Sequence, residues 1–338
     1  MIVAFQKQYP ESADNAAWKG ASMKKHNWAA IGCGAIARQF AQAMRAEGRT
    51  LYAVAGRTHE KTAAFAEEYG IPHAYESISQ VFTDENVDIV YIATPHNTHS
   101  AYIDEALRHG KHVLCEKAIT LDIGELSRAQ ALAQERGLIL AEAMTIYHMP
   151  LYKRLRELME SGALGKLRMV QMNFGSFKEY DMTNRFFNPA LAGGALWDIG
   201  VYALSFIRWF MSCCPDQIAS QVRYAPSGVD EQVGILLANK AGEMATAALT
   251  LHAKQPKRGV AAFEKGYVEI EEYPRAEKAV IVYTEDSRRE LLECGSAADA
   301  LRYEIRDMEQ AVAGGPNEMY LDYTRDVSRM MTEIRKKW

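Results

Sequence analysis

Residues 28–40, WAAIGCGAIARQF, constrain this chain more than any other stretch. A short apolar run stops at Gly32, Gly34 and Ala37 and resumes with helical periodicity, in the pattern G-x-G-x-x-A. Gly32 lets a strand turn sharply, Gly34 lets the backbone approach a pyrophosphate, and Ala37 lets the next helix pack close to the strand. Ala35 and Ile36 open that helix, whose unpaired N–H groups and positive dipole end would face the phosphates. A β-rich run at 51–55 completes a βαβ unit. The predicted fold class is therefore α/β, beginning with a Rossmann doubly wound parallel sheet.

The same alternation continues to about residue 143, with strands expected at 28–32, 51–55, 89–93, 112–115 and 138–141 and helices at 35–46, 60–69, 99–109 and 124–136. Ligands of such sheets sit beyond the carboxyl ends of the strands, so the loops there hold the candidate residues. After the second strand stands Gly56-Arg57-Thr58. No carboxylate is present to accept from a ribose 2′-hydroxyl, whereas the Arg57 guanidinium suits a 2′-phosphate, which favours NADP over NAD. The third strand runs into Thr94-Pro95-His96-Asn97-Thr98-His99, a loop expected to border the cofactor, with Asn97 or Thr98 capping the next helix. His96 and His99 have no third ligand at a readable spacing, so no metal site is predicted. Glu116 and Lys117 fall at the carboxyl end of the fourth strand, which makes Lys117 a candidate functional ammonium.

Beyond residue 144 the pattern changes. A helix at 152–161 and a strand at 167–174 precede the stretch 191–211, LAGGALWDIGVYALSFIRWFM, which reads as a glycine-rich entry and a mostly apolar helix. Asp198, Tyr202, Ser205 and Arg208 form a polar stripe on one face of it. A carboxylate on such a helix is costly unless paired, so Asp198 is expected to meet Lys117 or Tyr202, or to make a structural hydrogen bond. Lys178, Tyr180 and Arg185 just before it, and His148, either contact substrate or cofactor or are ordinary loop residues. Several β-rich runs between 217 and 292 indicate an open, mainly antiparallel sheet, closed by helices at 297–313 and 321–336. The expected division is an N-terminal extension at 1–22, an NAD(P)-binding domain at 23–144 and a C-terminal α/β domain for substrate and dimerisation at 145–338.

A net charge of −4 gives no electrostatic reason to expect nucleic acid or an anionic membrane. No run of 18 apolar residues is free of charge, so no membrane span is expected. Five cysteines without C-x-x-C spacing indicate neither a disulfide framework nor a zinc site and point to a reducing cytoplasm. Residues 1–22 lack a secretory pattern and precede Met23, so they read as an upstream-start product or a loosely held arm.

Six pieces, taken in order, carry a resemblance: GCGAIA at 32–37, ATPHNTH at 93–99, GKHVLCEK at 110–117, EAM at 142–144, AGGALWDIGVY at 192–202 and LRYEIRDM at 301–308. The chain resembles the glucose–fructose oxidoreductase, inositol dehydrogenase and rhizopine-catabolism (Gfo/Idh/MocA) family, in the branch of dimeric dihydrodiol dehydrogenase. The resemblance implies a Rossmann domain, a second domain whose open sheet commonly mediates dimerisation, and hydride transfer between NAD(P) and a sugar, polyol or related carbinol. It places the family's Glu-Lys pair on Glu116 and Lys117 and its Asp-x-x-x-Tyr motif on Asp198 and Tyr202. Gly32, Gly34, Ala35, Ile36, Arg57, Thr94, Asn97, His99, Glu116 and Lys117 are the residues expected at the cofactor. Ala118 follows Lys117 where family members usually have proline, and Ala192-Gly193-Gly194 replaces three glycines.

The expected mechanism uses Tyr202 as general acid or base, with Lys117 favouring its phenolate and Asp198 orienting one of the two. Lys117 as the proton-transfer group is the alternative assignment. The partners expected are a small-molecule substrate and a second copy of the chain, in a homodimer or a dimer of dimers. The alternative reading is a dinucleotide-binding regulatory protein without turnover, since fold does not fix function.

Overall fold

The computed structural model describes residues 25–338, so the expectation for residues 1–22 lies outside the described residues. Strands β1 (Trp28–Ile31), β2 (Ala53–Ala55), β3 (His73–Ala74), β4 (Ile89–Ile92), β5 (His112–Glu116) and β6 (Leu140–Ala143) form one sheet. Its order is β3-β2-β1-β4-β5-β6 and every pair is parallel. Helices α1 (Ala35–Ala46), α2 (His59–Tyr69), α3 (Ser79–Thr83), α4 (His99–Arg108) and α5 (Ile123–Glu135) connect the strands. All four residues of β1 and of β4 are buried, which is why these strands read as unbroken apolar runs. The strand order reverses beside β1, and the crevice between the carboxyl ends of β1 and β4 is where a doubly wound sheet takes its ligand.

After α6 (Thr145–His148) and α7 (Pro150–Glu160), β7 (Leu167–Gly175) enters a second sheet. A turn of π-helix, Leu196–Gly200, leads into α8 (Val201–Phe210). The chain then lays down β8 (Gln217–Tyr224), β9 (Asp230–Ala238), β10 (Met244–Thr250), β11 (Gln255–Phe263), β12 (Gly266–Glu271), β13 (Lys278–Tyr283) and β14 (Arg289–Glu293). The order is β14-β13-β12-β11-β7-β10-β9-β8, with β7 and β10 parallel and the other neighbours antiparallel. Alternation decides the faces: Val233, Ile235 and Leu237 of β9 point inward, while Gln232, Gly234 and Leu236 point out. Helix α8 covers the inner face, and Gly259 of β11 makes room for it, because a Cβ there would stand 2.5 Å from Phe206 Cζ.

The glycine-rich entry and the helix expected over 191–211 are both present, and the entry is more elaborate than its residues suggest. Pro189–Leu191 forms a separate 3-10 turn, Gly194 has φ +125°, and the π-turn precedes the regular α8. The segment Pro189–Phe210 is apolar enough by composition to cross a bilayer, but 78% of its most apolar window is buried in the protein, against the second sheet and its neighbours. Two further helices, α9 (Ala300–Val312) and α10 (Leu321–Arg335), close the chain. Helix α9 returns to the first sheet, where Leu301, Ile305 and Met308 share a core with Trp28, Phe40 and Tyr91. Trp28 Nε1 donates to Glu309 Oε1 at 2.7 Å across that junction, giving the buried indole N–H its partner.

Candidate active site

The glycine fingerprint sits where β1 ends. Gly32 has φ +106°, and a Cβ on it would stand 2.4 Å from the Ala93 carbonyl oxygen, so the turn admits only glycine. Gly34 begins α1 without a side-chain cap, no acidic residue stands in the first turn, and no atom lies within 4 Å of where its Cβ would be. Free N–H groups facing open space beside an uncrowded backbone suit a pyrophosphate. Arg57 is exposed just past β2, at the carboxyl end of that strand.

From this loop a cleft of about 460 Å³ runs to the second half of the chain, lined on one side by Gly34, Ala35, Ile36 and Thr94 and on the other by Arg185, Phe186, Asp198 and Tyr202. Glu116 and Lys117 lie between them at the end of β5. The strand holds Glu116 in place through Tyr91 of β4, whose hydroxyl donates to Glu116 Oε1 at 2.6 Å. Tyr91 is in turn stacked on Phe40 of α1, with ring centroids 3.8 Å apart. Burial pushes the Glu116 carboxyl up, against the opposing pull of Tyr91 and Lys117.

Lys117 Nζ donates to the Asp198 carbonyl oxygen at 2.7 Å and to Asp198 Oδ1 at 3.3 Å. Arg185 Nη2 reaches the same Oδ1 at 3.4 Å. The side chains of Lys117 and Asp198 are each 12% exposed, so the pair is largely desolvated. Burial alone would favour the neutral amine, but the Asp198 carboxylate outweighs it and holds Lys117 above its usual range. Burial likewise opposes the Asp198 carboxylate, and Lys117 and Arg185 together still hold it below the usual range. Both members are therefore charged at neutral pH.

Tyr202 stands one turn further along, with Lys117 Nζ 4.7 Å from its ring centroid, over the face of the ring. This corrects the expected phenolate. Burial pushes the Tyr202 phenol above its usual range, and Lys117 only partly offsets that. The side chain is a neutral O–H donor at neutral pH. It is also Lys117, rather than Tyr202, that the Asp198 side chain orients.

Other expected residues divide. Thr94 lines the cleft, and its Oγ1 lies 2.7 Å from Thr98 Oγ1. Asn97 instead reaches across to the Ala190 carbonyl at 3.2 Å. Thr98, one of the two expected caps, stands at the N-cap of α4, without a side-chain hydrogen bond to the helix. His99 is fully buried, and its ring nitrogens lie 3.0 Å from the Ala118 carbonyl and 2.9 Å from that of Thr94. It ties the loop after β4 to the loop after β5 and does not face the cleft. His96 lines the cleft in its stead, and burial with the Lys117 charge lowers its pKa to about 3, so it stays neutral. The sequence signal for exchanging the two was the 3.6-residue period of α4, which turns His99 inward. His148 lies away from the cleft, its Nδ1 2.7 Å from Asp307 Oδ2.

The crevice of the doubly wound sheet thus brings a paired ammonium and carboxylate and a neutral phenol to one cleft. Residues 26–144 match the Gfo/Idh/MocA oxidoreductase family with an NAD-binding Rossmann fold, and residues 152–269 match the Gfo/Idh/MocA C-terminal domain. The chain is 30% identical over 250 residues to trans-1,2-dihydrobenzene-1,2-diol dehydrogenase of Mus musculus, covering 72% of this chain and 74% of that protein. It is 36% identical to the Sus scrofa enzyme of the same name over 214 residues, which span 62% of this chain and 63% of the relative. The chain belongs to the Gfo/Idh/MocA family. Among solved structures, the 3-ketoreductase KijD10 of Actinomadura kijaniata with NADP superposes with a TM-score of 0.79 at 25% identity, over 93% of this chain and 97% of that one. Levoglucosan dehydrogenase with NADH and levoglucosan gives 0.84 at 18% identity, over 93% and 97%.

Proposed function

We propose that this protein is an NADP(H)-dependent oxidoreductase acting at a carbinol or carbonyl carbon of a sugar, polyol or dihydrodiol-like small molecule. The observation that carries the reading is the convergence of Lys117, Asp198 and Tyr202, from both halves of the chain, on the cleft that begins at the fingerprint. The cofactor-side residues of the proposal are Gly32, Gly34, Ala35, Ile36, Arg57, Thr94, Glu116 and Lys117. When bound there, a reduced nicotinamide supplies hydride to the substrate carbon. Tyr202, neutral and hydrogen-bearing, donates the proton to the carbonyl oxygen. The Lys117 ammonium over its ring favours the phenolate that remains, and Asp198 fixes that ammonium. A neutral Tyr202 is the state required of the proton donor in carbonyl reduction.

Arg57 supports NADP over NAD, because its guanidinium suits a 2′-phosphate and no carboxylate stands beside it. Residues 23–144 act as the cofactor domain and 145–338 as the substrate and dimerisation domain, the latter lending α9 to the core of the former. A homodimer, or a dimer of such dimers, is supported by the outer face of the second sheet, where Leu236, Met244 and Leu291 are exposed among the described residues. All five cysteines are free, which supports a cytoplasmic location. The test is fluorescence titration with NADPH and NADH, followed on the same sample by a panel of sugar and diol carbinols and carbonyls. Tight NADPH binding with turnover of a panel member supports the reading. Tight binding with no turnover across the panel would instead leave a dinucleotide-binding regulator.

A further inference from the structure

The glycine-rich lead-in to Asp198 is held from outside its own helix, by two acidic residues at the start of β9. Asp230 is 2% exposed, and its Oδ2 accepts from the Leu196 backbone N–H at 2.6 Å. That N–H is one of the donors a helix leaves unpaired at its start, and Gly194 has no side chain with which to pair it. The fit is close: a Cβ on Gly194 would stand 2.2 Å from Asp230 Oδ1. Gly193 is equally confined, since its Cβ would meet the Phe186 and Arg185 carbonyl oxygens at 2.7 and 2.8 Å. The only guanidinium facing Asp230 among the described residues is Arg335 of α10, at 3.9 Å from Oδ1.

Two residues past Leu196 is Asp198, whose N–H donates to the Gly194 carbonyl at 3.1 Å and whose own carbonyl accepts from Lys117. The turn between them is of π type, with Val201 N–H bonded to the Leu196 carbonyl, five residues back. Movement of the capped turn therefore moves the atom that Lys117 binds. The neighbouring Glu231 works on the segment that precedes this turn on the same wall of the cleft. The Tyr180 hydroxyl donates to Glu231 Oε2, and the Tyr180 ring stacks on His252 at 3.9 Å. The segment so pinned continues to Arg185 and Phe186, which line the cleft, and Gly194 N–H bonds to the Phe186 carbonyl at 3.0 Å.

We propose that Asp230 and Glu231 are paired positioning residues, Asp230 fixing the turn that sets Asp198 against Lys117, and Glu231 fixing the substrate-side segment 180–187. The inference rests on the oxidoreductase reading for its kinetic consequences, but not for its structural ones. Asp230→Ala removes the cap and frees the turn, which lowers kcat by about 100-fold as the reacting groups lose register. Asp230→Asn keeps one acceptor and falls between wild type and the alanine variant. Glu231→Ala raises KM with little change in kcat, because the loop carrying Arg185 and Phe186 loosens while the Lys117–Asp198 pair stays.

Site-resolved acylation of lysines by acetic anhydride at pH 8, read by peptide mass spectrometry without cofactor or substrate, tests the first half directly. Displacing Asp198 lowers the Lys117 pKa, and one unit gives about tenfold more reactive free amine. The expected result is Lys117 labelling raised in Asp230→Ala, raised less in Asp230→Asn, and not raised in Glu231→Ala, where a loosened Arg185 leaves the ammonium more favoured, with the other lysines as internal controls. Deuterium exchange over 177–187 should rise in Glu231→Ala alone. If Asp230→Ala does not fold, the asparagine variant carries the test. Wild-type Lys117 labelling in a folded Asp230 variant overturns the proposal and leaves the oxidoreductase reading standing. Raised labelling in a chain that turns over no carbonyl overturns that reading and leaves the positioning role.

Discussion

The two halves of this molecule build their share of the cleft by different means. In the first, a buried parallel sheet sets everything: Gly32, Glu116 and Lys117 each stand at a strand's carboxyl end, and their positions follow from pattern over a few neighbouring residues. In the second, the functional side chains ride on one helix whose start is shaped by distant partners. Asp198 is placed by Asp230, 32 positions away in sequence, and by Lys117, 81 positions away. The difference is that a cofactor common to many proteins can be held by a local motif, whereas the groups that meet a substrate depend on tertiary contacts that any one substitution alters.

The largest expected effect on the first half is at the strand end. Gly32→Ala places a Cβ against the Ala93 carbonyl at positive φ, a strain of about 1–3 kcal/mol that distorts the phosphate turn. NADPH binding should be lost in a titration while the far-ultraviolet circular dichroism stays native, and retained binding would break the view that this half is set by its backbone. Arg57→Ala sharpens the same view more gently. Losing one charge-assisted contact costs about 1.5–3 kcal/mol, so NADPH affinity should drop by at least about tenfold while NADH affinity stays put. Equal loss for both nucleotides would show that Arg57 does not read the 2′-phosphate.

A further effect, on stability rather than binding, concerns the seam between the halves. Glu142 of β6 is buried, and its carboxyl is pushed up to about 7 even though Ile119 N–H and Thr324 Oγ1 donate to it. A carboxyl raised by folding favours the folded state fully below its unfolded value of about 4.3, and that contribution is lost as pH rises through 7. Glu142→Gln should thus flatten the dependence of urea-unfolding stability on pH between about 4.3 and 7. An unchanged slope would mean that Glu142 is ionised throughout.

Much of the first half was legible in residues alone. Helix α1 spans the residues its periodicity predicts, and the parallel strands fall within two residues of their apolar runs. Strand β3 escaped because His73 and Ala74 give only two residues of pattern. In the second sheet β8 and β11 escaped because Gln217, Ser220 and Gln221 dilute one and Pro256, Lys257 and Arg258 the other. Lys117 and Asp198 could be singled out because a charge is costly where the pattern puts them, and Tyr202 because it shares the polar stripe of Asp198 and matches the family motif. The direction of the Tyr202 shift could not, since it is decided by how much burial opposes Lys117, a sum over the whole fold. Asp230 gave no signal at all: an acidic residue beginning a strand resembles any turn residue until its partner across the fold is known.

The claim that joins the halves is that the first binds the nucleotide and Tyr202 of the second gives the proton. It is tested most directly by Tyr202→Phe, assayed for carbonyl reduction at saturating NADPH beside a fluorescence titration of the same sample. Loss of the proton donor should lower kcat by about 10²–10⁴-fold with NADPH affinity within about twofold of wild type. Turnover close to wild type with the phenylalanine in place would contradict the account and move the proton transfer to Lys117.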